Sequence, residues 1–321
     1  MSTAPPSPLA PWPAEFRSVD TPALIAAPFQ HDVIAAEGPD VVAFLQGQIS
    51  QDVASMDIDT SCAALVLQPQ GKTAGWFRIT READDRFLLD MDGGSAETIL
   101  ARLRRFLLRT NATFTLIPAD GLHGWSLRGS EEALSTVASW DPPDEVLLDA
   151  ATSWPSGHGP HLAGRDLLAH SPIPLPPDVT TVPGAVLDAL RICCGVPAMG
   201  REIVPEVIPA ELGQWVIDTS VSFTKGCYTG QELVARVDSR GGNVPRHLRR
   251  ILLEGAPTAE VGNDVTVGNL GVVGTLTSVA PQPDGSGWVA LAFIRRAVDR
   301  GATSATVDTS SGEIPVTILA I

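Results

Sequence analysis

Apolar residues recur along the first two thirds of the chain at the spacing of a helix. Residues 39–56 carry an apolar side chain at every third or fourth position, which predicts a helix. The same spacing predicts a helix over 96–109, with its arginines on another face. A third helix is predicted at 184–194, closed by Gly195 with a proline just beyond.

Short strands separate these helices and then replace them. "CAALVLQPQGKTAGWFRITRE" predicts two strands around a turn at Pro69–Lys72. Residues 120–140 predict a strand followed by a helix that begins at Ser130, whereas 141–183 are rich in Pro, Asp and Gly and predict mainly loops. After residue 246 only short apolar runs broken by Gly, Asn and Asp remain, which favour a small β-barrel or sandwich. We therefore expect an α+β region followed by an all-β region.

Composition narrows the classes of function. The chain has 321 residues, 44% of them hydrophobic, and a net charge of −15. Such an acidic chain is not expected to bind nucleic acid directly through a broad basic surface. The proline-rich start has no positive charge before an apolar segment, so it predicts a disordered tail rather than a secretory signal. No apolar run reaches membrane-spanning length, so no membrane contact is expected.

The cysteines and histidines carry little sign of metal binding. Four cysteines contain no C-x-x-C pair, and the six histidines have no zinc-like spacing near them. We expect free thiols in a reducing cytoplasm and no metal site. Cys193 and Cys194 fall on or beside an apolar helix face and are expected to be buried. Arg191 on the same helix is expected to pair with Asp188 or to contact a ligand.

One stretch combines several features that favour chemistry: "FTKGCYTGQELVAR", residues 223–236. "TGQE" is a capping box, in which Thr229 and Glu232 would cap each other's backbone N–H groups and begin a helix. Cys227 would then lie just outside a helix N-terminus, where the thiolate is favoured. Lys225 adds a positive charge, and Gly226 permits close approach of a ligand. The alternative is a cysteine buried in a turn.

The scarcity of lysine strengthens this interpretation. The chain has 20 arginines and only two lysines, Lys72 and Lys225. Both positions favour a compact ammonium over a planar guanidinium, although chance retention is the alternative explanation.

"KGCYTGQELVAR" resembles the signature of the folate-binding YgfZ-like family, relatives of the glycine-cleavage T-protein, an aminomethyltransferase. The blocks "FLQGQISQDV", "LQPQGKTAGWFRI", "LRICCGVPAMGREI" and "RGGNVPRHLRRILLEG" resemble other parts of the same family, and the likeness covers roughly residues 30–320.

The resemblance implies a T-protein-like ring of two α+β domains and a C-terminal antiparallel β-barrel. We expect a disordered tail at 1–28, a first domain at 29–118 and 196–245, a second domain at 119–195, and the barrel at 246–321. It implies a cytoplasmic accessory protein that helps to assemble or repair iron–sulfur clusters in client enzymes, including enzymes that modify tRNA. The expected partners are iron–sulfur client proteins and a folate, with tetrahydrofolate or a derivative as the cofactor.

The resemblance also assigns roles to residues. Cys227 and Lys225 are the expected catalytic pair. The expected folate-binding residues are Gly226, Tyr228, Gly230, Gln231, Glu232, Arg236, Arg191 and Lys72.

The chain departs from the T-protein pattern at two positions, which limits the T-protein functions that can be expected of it. "QGKTAGWF" has no carboxylate around Ala74 and Gly75, where the aminomethyltransferases carry one, so T-protein chemistry is not expected. Cys193 replaces the pterin-binding glutamate. A folate-dependent one-carbon transferase and a non-catalytic interaction scaffold stay open as alternatives.

Overall fold

The computed structural model describes residues 24–142, 145–155, 162–177, 179–254, 258–282, 285, 287–298 and 303–321. Most of the predicted tail, residues 1–23, lies outside the described residues. The limit of that tail at residue 28 was wrong, because strand β1 (Ile25–Phe29) already begins at Ile25. The side chains of its first three residues are fully buried, so this apolar run is part of a core.

The first sheet is antiparallel and has the strand order β3-β4-β5-β2-β6. Its strands are β2 (His31–Glu37), β3 (Ser61–Leu67), β4 (Thr73–Ala83), β5 (Arg86–Asp92) and β6 (Thr113–Ile117). One face is covered by helices α1 (Val41–Gln48) and α2 (Ala96–Arg104), which bury a shared apolar core. The strands predicted around the turn at Pro69–Lys72 are β3 and β4.

Both helices end earlier than the apolar spacing predicted. Ile49 has an extended backbone and forms a bridge with Val66, so the chain leaves α1 to join the first sheet. Past α2, the N–H groups of Phe106 and Leu107 bond to carbonyls three residues earlier, which is a tighter turn than an α-helix. The apolar spacing continues past both helix ends because Ile49 and Leu107 still pack against the core, whereas Phe106 is exposed.

The second sheet has the order β10-β1-β7-β9-β8. Its further strands are β7 (His123–Gly129), β8 (Val146–Trp154), β9 (Leu162–Ala169) and β10 (Thr180–Thr181). The expectation of mainly loops in 141–183 was wrong, because β8 and β9 pair there along most of their length. Pro, Asp and Gly lie mainly in the connections, and they masked the apolar strands between them.

Helices join the sheets to one another and to the motif. They are α3 (Glu131–Ser135), α4 (Gly184–Cys194), α5 (Gln214–Ser220) and α6 (Gln231–Asp238), with a 3₁₀ turn at Pro209–Leu212. Ser130 caps α3 as predicted, accepting the N–H of Ala133 at 3.1 Å. Gly195 closes α4 in a left-handed conformation, also as predicted. Within the described part of the chain, no helix is both long and apolar enough to cross a membrane.

The C-terminal region is a closed barrel rather than a sandwich. Its strands are β11 (Arg246–Leu253), β12 (Asp264–Val267), β13 (Gly271–Pro281), β14 (Trp288–Arg295), β15 (Thr303–Thr309) and β16 (Gly312–Leu319). Pairing between β11 and β16 closes the ring of six antiparallel strands. Ile251, Val265 and Val307 are among the fully buried side chains that fill its interior.

Separate apolar cores hold the three units together. One core joins the first and second sheets through β2, β5, β8 and β9. A larger one packs α4 and the second sheet against the outside of the barrel. A third packs α5, α6 and Tyr228 against β3. The chain is therefore an assembly of two α+β layers and a barrel, which is the arrangement expected from the resemblance.

Charged side chains also cross between the two sheets, in a set that we call the charge ladder: His31, Asp90, Arg78, Asp166 and Arg128. Arg78 forms two hydrogen bonds to Asp90, at 2.9 and 2.8 Å, and a third to Asp166 on the other sheet at 2.9 Å. His31 Nδ1 lies 2.8 Å from Asp90, and Arg128 pairs with Asp166.

The pKa shifts follow from this pairing. Burial raises the pKa values of Asp90 and Asp166, but the adjacent cations outweigh it, so both pKa values are lowered. Burial lowers the pKa of His31, but Asp90 and Asp92 outweigh it and raise that pKa to about 9. The ladder is therefore ionised at neutral pH.

Candidate functional site

Cys227 lies in a loop between α5 and α6, residues 222–230, which we call the cysteine loop. Its side chain is exposed, unlike those of the other three cysteines, which are half-buried or buried. Gly226 beside it is also exposed, and a Cβ there would meet no atom within 4 Å. The open space in front of this turn leaves the thiol accessible to a partner.

The end of α1 holds the cysteine loop mainly through backbone groups. The N–H of Ser222 bonds to the carbonyl of Ser50 at 3.0 Å, and that of Thr229 bonds to the carbonyl of Gly47 at 3.1 Å. Ser50 Oγ donates to the carbonyl of Ser220 and accepts the N–H of Leu65 at 2.8 Å. The sequence blocks "GQIS" and "KGCYTG" therefore meet in space.

Lys225 acts as a clamp within this contact. Its ammonium donates to the carbonyls of Ile49 at 2.9 Å and Gln51 at 2.7 Å. Burial lowers the pKa of Lys225 to about 8, and the negative charge of Asp52 opposes that shift only in part. The ammonium thus makes two hydrogen bonds to the segment just after α1, and an effect of its charge on Cys227 stays a prediction.

The predicted capping box is wrong. Helix α6 begins at Gln231, after Gly230 in a left-handed conformation, and no side chain caps it from that position. Thr229 is drawn toward α1 instead, and its hydroxyl lies 3.5 Å from both Gly47 O and Gln48 Oε1. Gln231 reaches back to accept the N–H of Tyr228 at 3.1 Å. The helix thus starts further from Cys227 than predicted, which weakens its contribution to a thiolate.

Two glycines bring a second turn against the cysteine loop. Gly230 and Gly71 both have positive φ, +85° and +79°. A Cβ on Gly230 would lie 2.5 Å from the carbonyl oxygen of Gln68, and one on Gly71 would lie 2.4 Å from Leu233 Cβ. This close packing puts the exposed Lys72 on the turn that touches the start of α6.

Of the remaining predicted site residues in the motif, Tyr228 is buried, whereas Glu232 and Arg236 are exposed. Tyr228 is 9% exposed and packs with Leu65 and Val234, and burial raises its pKa to about 12. Its ring is part of the core that holds the loop. Glu232 and Arg236 are exposed on α6 and, among the described contacts, do not pair with each other. Both side chains are free to meet a ligand.

Arg191 is not part of the cysteine loop. Its Nε donates to Asp188 at 2.6 Å, which confirms the predicted pair. Its other nitrogens bond to Glu202 at 3.2 Å and to Ser278 at 2.9 Å. These contacts tie α4 to β13 of the barrel, so the structure gives Arg191 a role in joining units.

Cys193, in the position expected to bind a pterin through a carboxylate, is 9% exposed and lies in the core between α4 and the barrel. Its backbone carbonyl accepts a hydrogen bond from buried Arg250 at 2.7 Å. The burial expected for Cys193 and Cys194 is confirmed.

Sequence reasoning missed a carboxylate near β4. Asp92, at the end of β5, has a side chain that is 44% exposed and accepts the N–H of Met199 at 2.8 Å. The sulfur of Met199 lies 3.4 Å from the backbone nitrogen of Trp76. Met199 therefore connects Asp92 to the part of β4 around Trp76, where residues 73–77 include no carboxylate. Asp92 also contacts His31. No motif links these distant positions.

The amino-acid sequence was compared with those of known proteins and protein families. No family model matches the chain. The tRNA-modifying protein YgfZ of Sodalis glossinidius is 26% identical over 280 residues, covering 80% of each chain. An iron–sulfur cluster assembly factor of Mycosarcoma maydis, the mitochondrial IBA57 homolog, is 28% identical over 226 residues, which is 65% of this chain and 52% of that protein.

A solved structure shows the fold. The glycine cleavage system aminomethyltransferase T of Bartonella henselae matches with a TM-score of 0.72 and 17% identity, over 93% of this chain and 86% of that one. The chain is thus similar in sequence to YgfZ-like proteins and in fold to the T-protein. The contact between α1 and the cysteine loop accounts physically for the joint presence of "GQIS" and "KGCYTGQE" in this chain.

Proposed function

We propose that this YgfZ-like chain is an accessory factor that helps to assemble or repair iron–sulfur clusters in client enzymes, including tRNA-modifying enzymes, with Cys227 as its working thiol. The names of its relatives support the class of function. The exposure of Cys227 on a loop held by other residues carries the assignment of the thiol.

The chemistry of a thiolate fits this task. Cysteine thiolates are ligands of iron–sulfur clusters, and an accessible thiol can exchange as a ligand. No group of three metal-binding side chains occurs within the described residues. A cluster would therefore be cargo, held jointly by Cys227 and ligands of the client.

A deletion strain tests this proposal. The activities of iron–sulfur enzymes should fall in the strain and return with the wild-type chain but not with Cys227→Ser. Cys62→Ser is the matched control, since Cys62 is half-buried and should complement fully. Full complementation by Cys227→Ser would contradict the role of the thiol. Unchanged enzyme activities in the deletion strain would contradict the function itself.

We also propose that a reduced folate, tetrahydrofolate or a derivative, binds beside the cysteine loop. Lys72 and Arg236 are exposed cations that fit the glutamyl carboxylates, and the space in front of Gly226 is open. Gly230, Gln231 and Glu232 form the adjoining turn. A buried thiol at Cys193 does not supply the carboxylate acceptor that a pterin would use, so affinity should be weak to moderate.

Calorimetry with tetrahydrofolate and its polyglutamate forms tests the folate proposal. Binding should strengthen in Cys193→Glu, provided that the variant stays folded by circular dichroism. Absence of heat at millimolar ligand would remove the folate from the proposal.

An aminomethyltransferase activity is not expected. The side chains of residues 73–77 include no carboxylate, and Gly75 packs directly against Ile99. Folate-dependent release of ammonia from an aminomethyl donor, well above background, would overturn this expectation and would direct attention to Asp92.

A further inference from the structure

We propose that the outside of the barrel carries a second binding site, a cleft that takes small organic dicarboxylates. The cleft has a volume of about 260 Å³ and lies between the ends of β11, β13 and β14. It is lined by Arg246, Val272, Val273, Gly274, Thr275, Thr277, Phe293 and Arg295. This site is independent of the proposed function of Cys227.

Two arginines face the cleft from directly opposite positions. Arg246 on β11 and Arg295 on β14 are paired in the antiparallel register, so their side chains leave the same side of the sheet. Like charges in such a pair destabilise a sheet. A bound dianion would relieve this repulsion.

The guanidinium of Arg246 is held in a fixed orientation. It stacks over the ring of Phe293 at 4.4 Å and pairs with buried Glu211, with Nε 3.3 Å and Nη2 3.5 Å from the carboxylate oxygens. Among the described residues, Nη1 has no hydrogen-bond partner. A guanidinium already positioned by stacking loses little entropy when it binds a carboxylate.

Arg295 supplies the second cation. Its side chain is exposed and forms no ion pair within the described residues. Three carboxylates lie close to the cleft among the described residues. Glu211 pairs with Arg246, and Glu202 pairs with Arg191 and accepts the Thr277 hydroxyl at 2.7 Å. Asp264 lies 3.3 Å from the Thr275 hydroxyl at the rim. Arg295 is therefore a cation of the cleft that no described carboxylate pairs with.

The lining between the arginines sets the shape of the ligand. The ring of Phe293 is 7% exposed and supports Arg246, whereas Val272 is 43% exposed and gives the cleft an apolar wall. A short hydrocarbon segment would rest there while one carboxylate meets each guanidinium. A single carboxylate would use only one of the two cations.

Calorimetry at low ionic strength, with glutarate, acetate and inorganic phosphate as probes, tests the site. Glutarate should bind saturably and more tightly than either acetate or phosphate. Arg295→Gln should weaken glutarate binding at least about tenfold, since it removes a charge-assisted contact. Arg296→Gln is the matched control, because Arg296 is the next residue, is exposed and does not line the cleft. It should leave the affinity unchanged.

Arg246→Gln would leave buried Glu211 without its ion-pair partner and can unfold the protein. The test of the site therefore depends on Arg295→Gln. Equal losses in Arg295→Gln and Arg296→Gln would reduce the effect to general surface charge and overturn the proposal. No saturable heat with glutarate, or tighter binding of acetate or phosphate, would also overturn it.

Discussion

The charge ladder and the cysteine loop use polar groups in opposite ways. In the ladder, charged side chains from both sheets pair with one another inside the protein, and Asp90 is completely enclosed. In the cysteine loop, the backbone carbonyls of Ile49 and Gln51, just after α1, accept hydrogen bonds from the ammonium of Lys225, and the thiol of Cys227 is left exposed. The side chains of the ladder are all used in contacts with one another, so none is available to bind a ligand. The cysteine loop is held by contacts of other residues, so the thiol of Cys227 is available to react.

The strongest test of this comparison is to remove Arg78, which lies at the centre of the charge ladder. Arg78→Met should lower the free energy of unfolding by about 3–5 kcal/mol, because it removes the cation that two buried carboxylates share. Asp90 would keep only His31 and Asp166 only Arg128 as charged partners. Chemical denaturation monitored by circular dichroism measures the loss. Arg86→Met is the control: Arg86 is 46% exposed and pairs with Glu82, so the cost should stay below about 1 kcal/mol.

An equal loss of unfolding free energy in the two variants would show that the ion pairs of the ladder stabilise the protein no more than exposed ion pairs do. The inference that ionic contacts hold the first and second sheets together would then be wrong.

The exposed side of the comparison is tested by cysteine alkylation. Burial raises the pKa values of Cys62 and Cys194 to about 12, so their reactive thiolates are scarce. Cys227 is exposed and should react with iodoacetamide at least about a hundredfold faster than either of them. Mass spectrometry resolved by residue measures the three rates.

Cys227→Ser should abolish the fast phase and leave the slow ones. A fast phase that survives in this variant would mean that another cysteine becomes accessible in solution. The conclusion that the exposed thiol belongs to the cysteine loop alone would then be wrong.

The two regions also differ in how far the sequence could predict them. The cysteine loop is a contiguous motif, so its location and its exposed thiol followed from residues 223–236. The ladder joins positions as far apart as Arg78 and Asp166, and neither spacing nor composition links them. Such contacts follow from strand order and register, which a single sequence does not specify.

Local rules failed where a distant contact competed with them. Thr229 and Glu232 have the spacing of a capping box, yet the N–H of Thr229 bonds to Gly47, and Gly230 becomes the residue before the helix. The pattern of strands and helices predicted an α+β region followed by an all-β region, and the closed barrel confirms the second of these. Helix ends were predicted late, because Ile49 keeps its apolar face toward the core after leaving the helix.

The protonation of His31 connects the ladder to pH. Its folded pKa of about 9 lies above the ordinary value of 6.5, so its stabilising contribution is complete below pH 6.5 and is lost as the pH rises to 9. We expect the free energy of unfolding to fall by roughly 3 kcal/mol across that window, at about 1.36 kcal/mol for each pKa unit. The pKa values of Asp90 and Asp92 are lowered, so neither titrates there. Urea unfolding across the pH range measures the slope.

His31→Gln should remove most of this slope while leaving a folded protein. A slope that is unchanged in the variant would assign the pH dependence to other groups and would separate His31 from the ladder.

The smallest effect concerns Lys225, where the two kinds of contact meet. Its ammonium is clamped by carbonyls but still places a positive charge near Cys227 in the chain. At surface-like dielectric such a charge contributes about 1 kcal/mol or less, so Lys225→Met should slow alkylation of Cys227 about threefold at neutral pH. Lys72→Met is the control and should leave the rate unchanged, since Lys72 lies exposed on the neighbouring turn.

The pH dependence gives this prediction its sign. Because burial lowers the pKa of Lys225 to about 8, the ammonium is present below that pH and is lost above it. The rates of the wild type and of Lys225→Met should therefore differ most near neutral pH and converge as the pH rises past 8. Identical rates throughout would make Lys225 a purely structural clamp, and the cysteine loop would owe its reactivity to exposure alone.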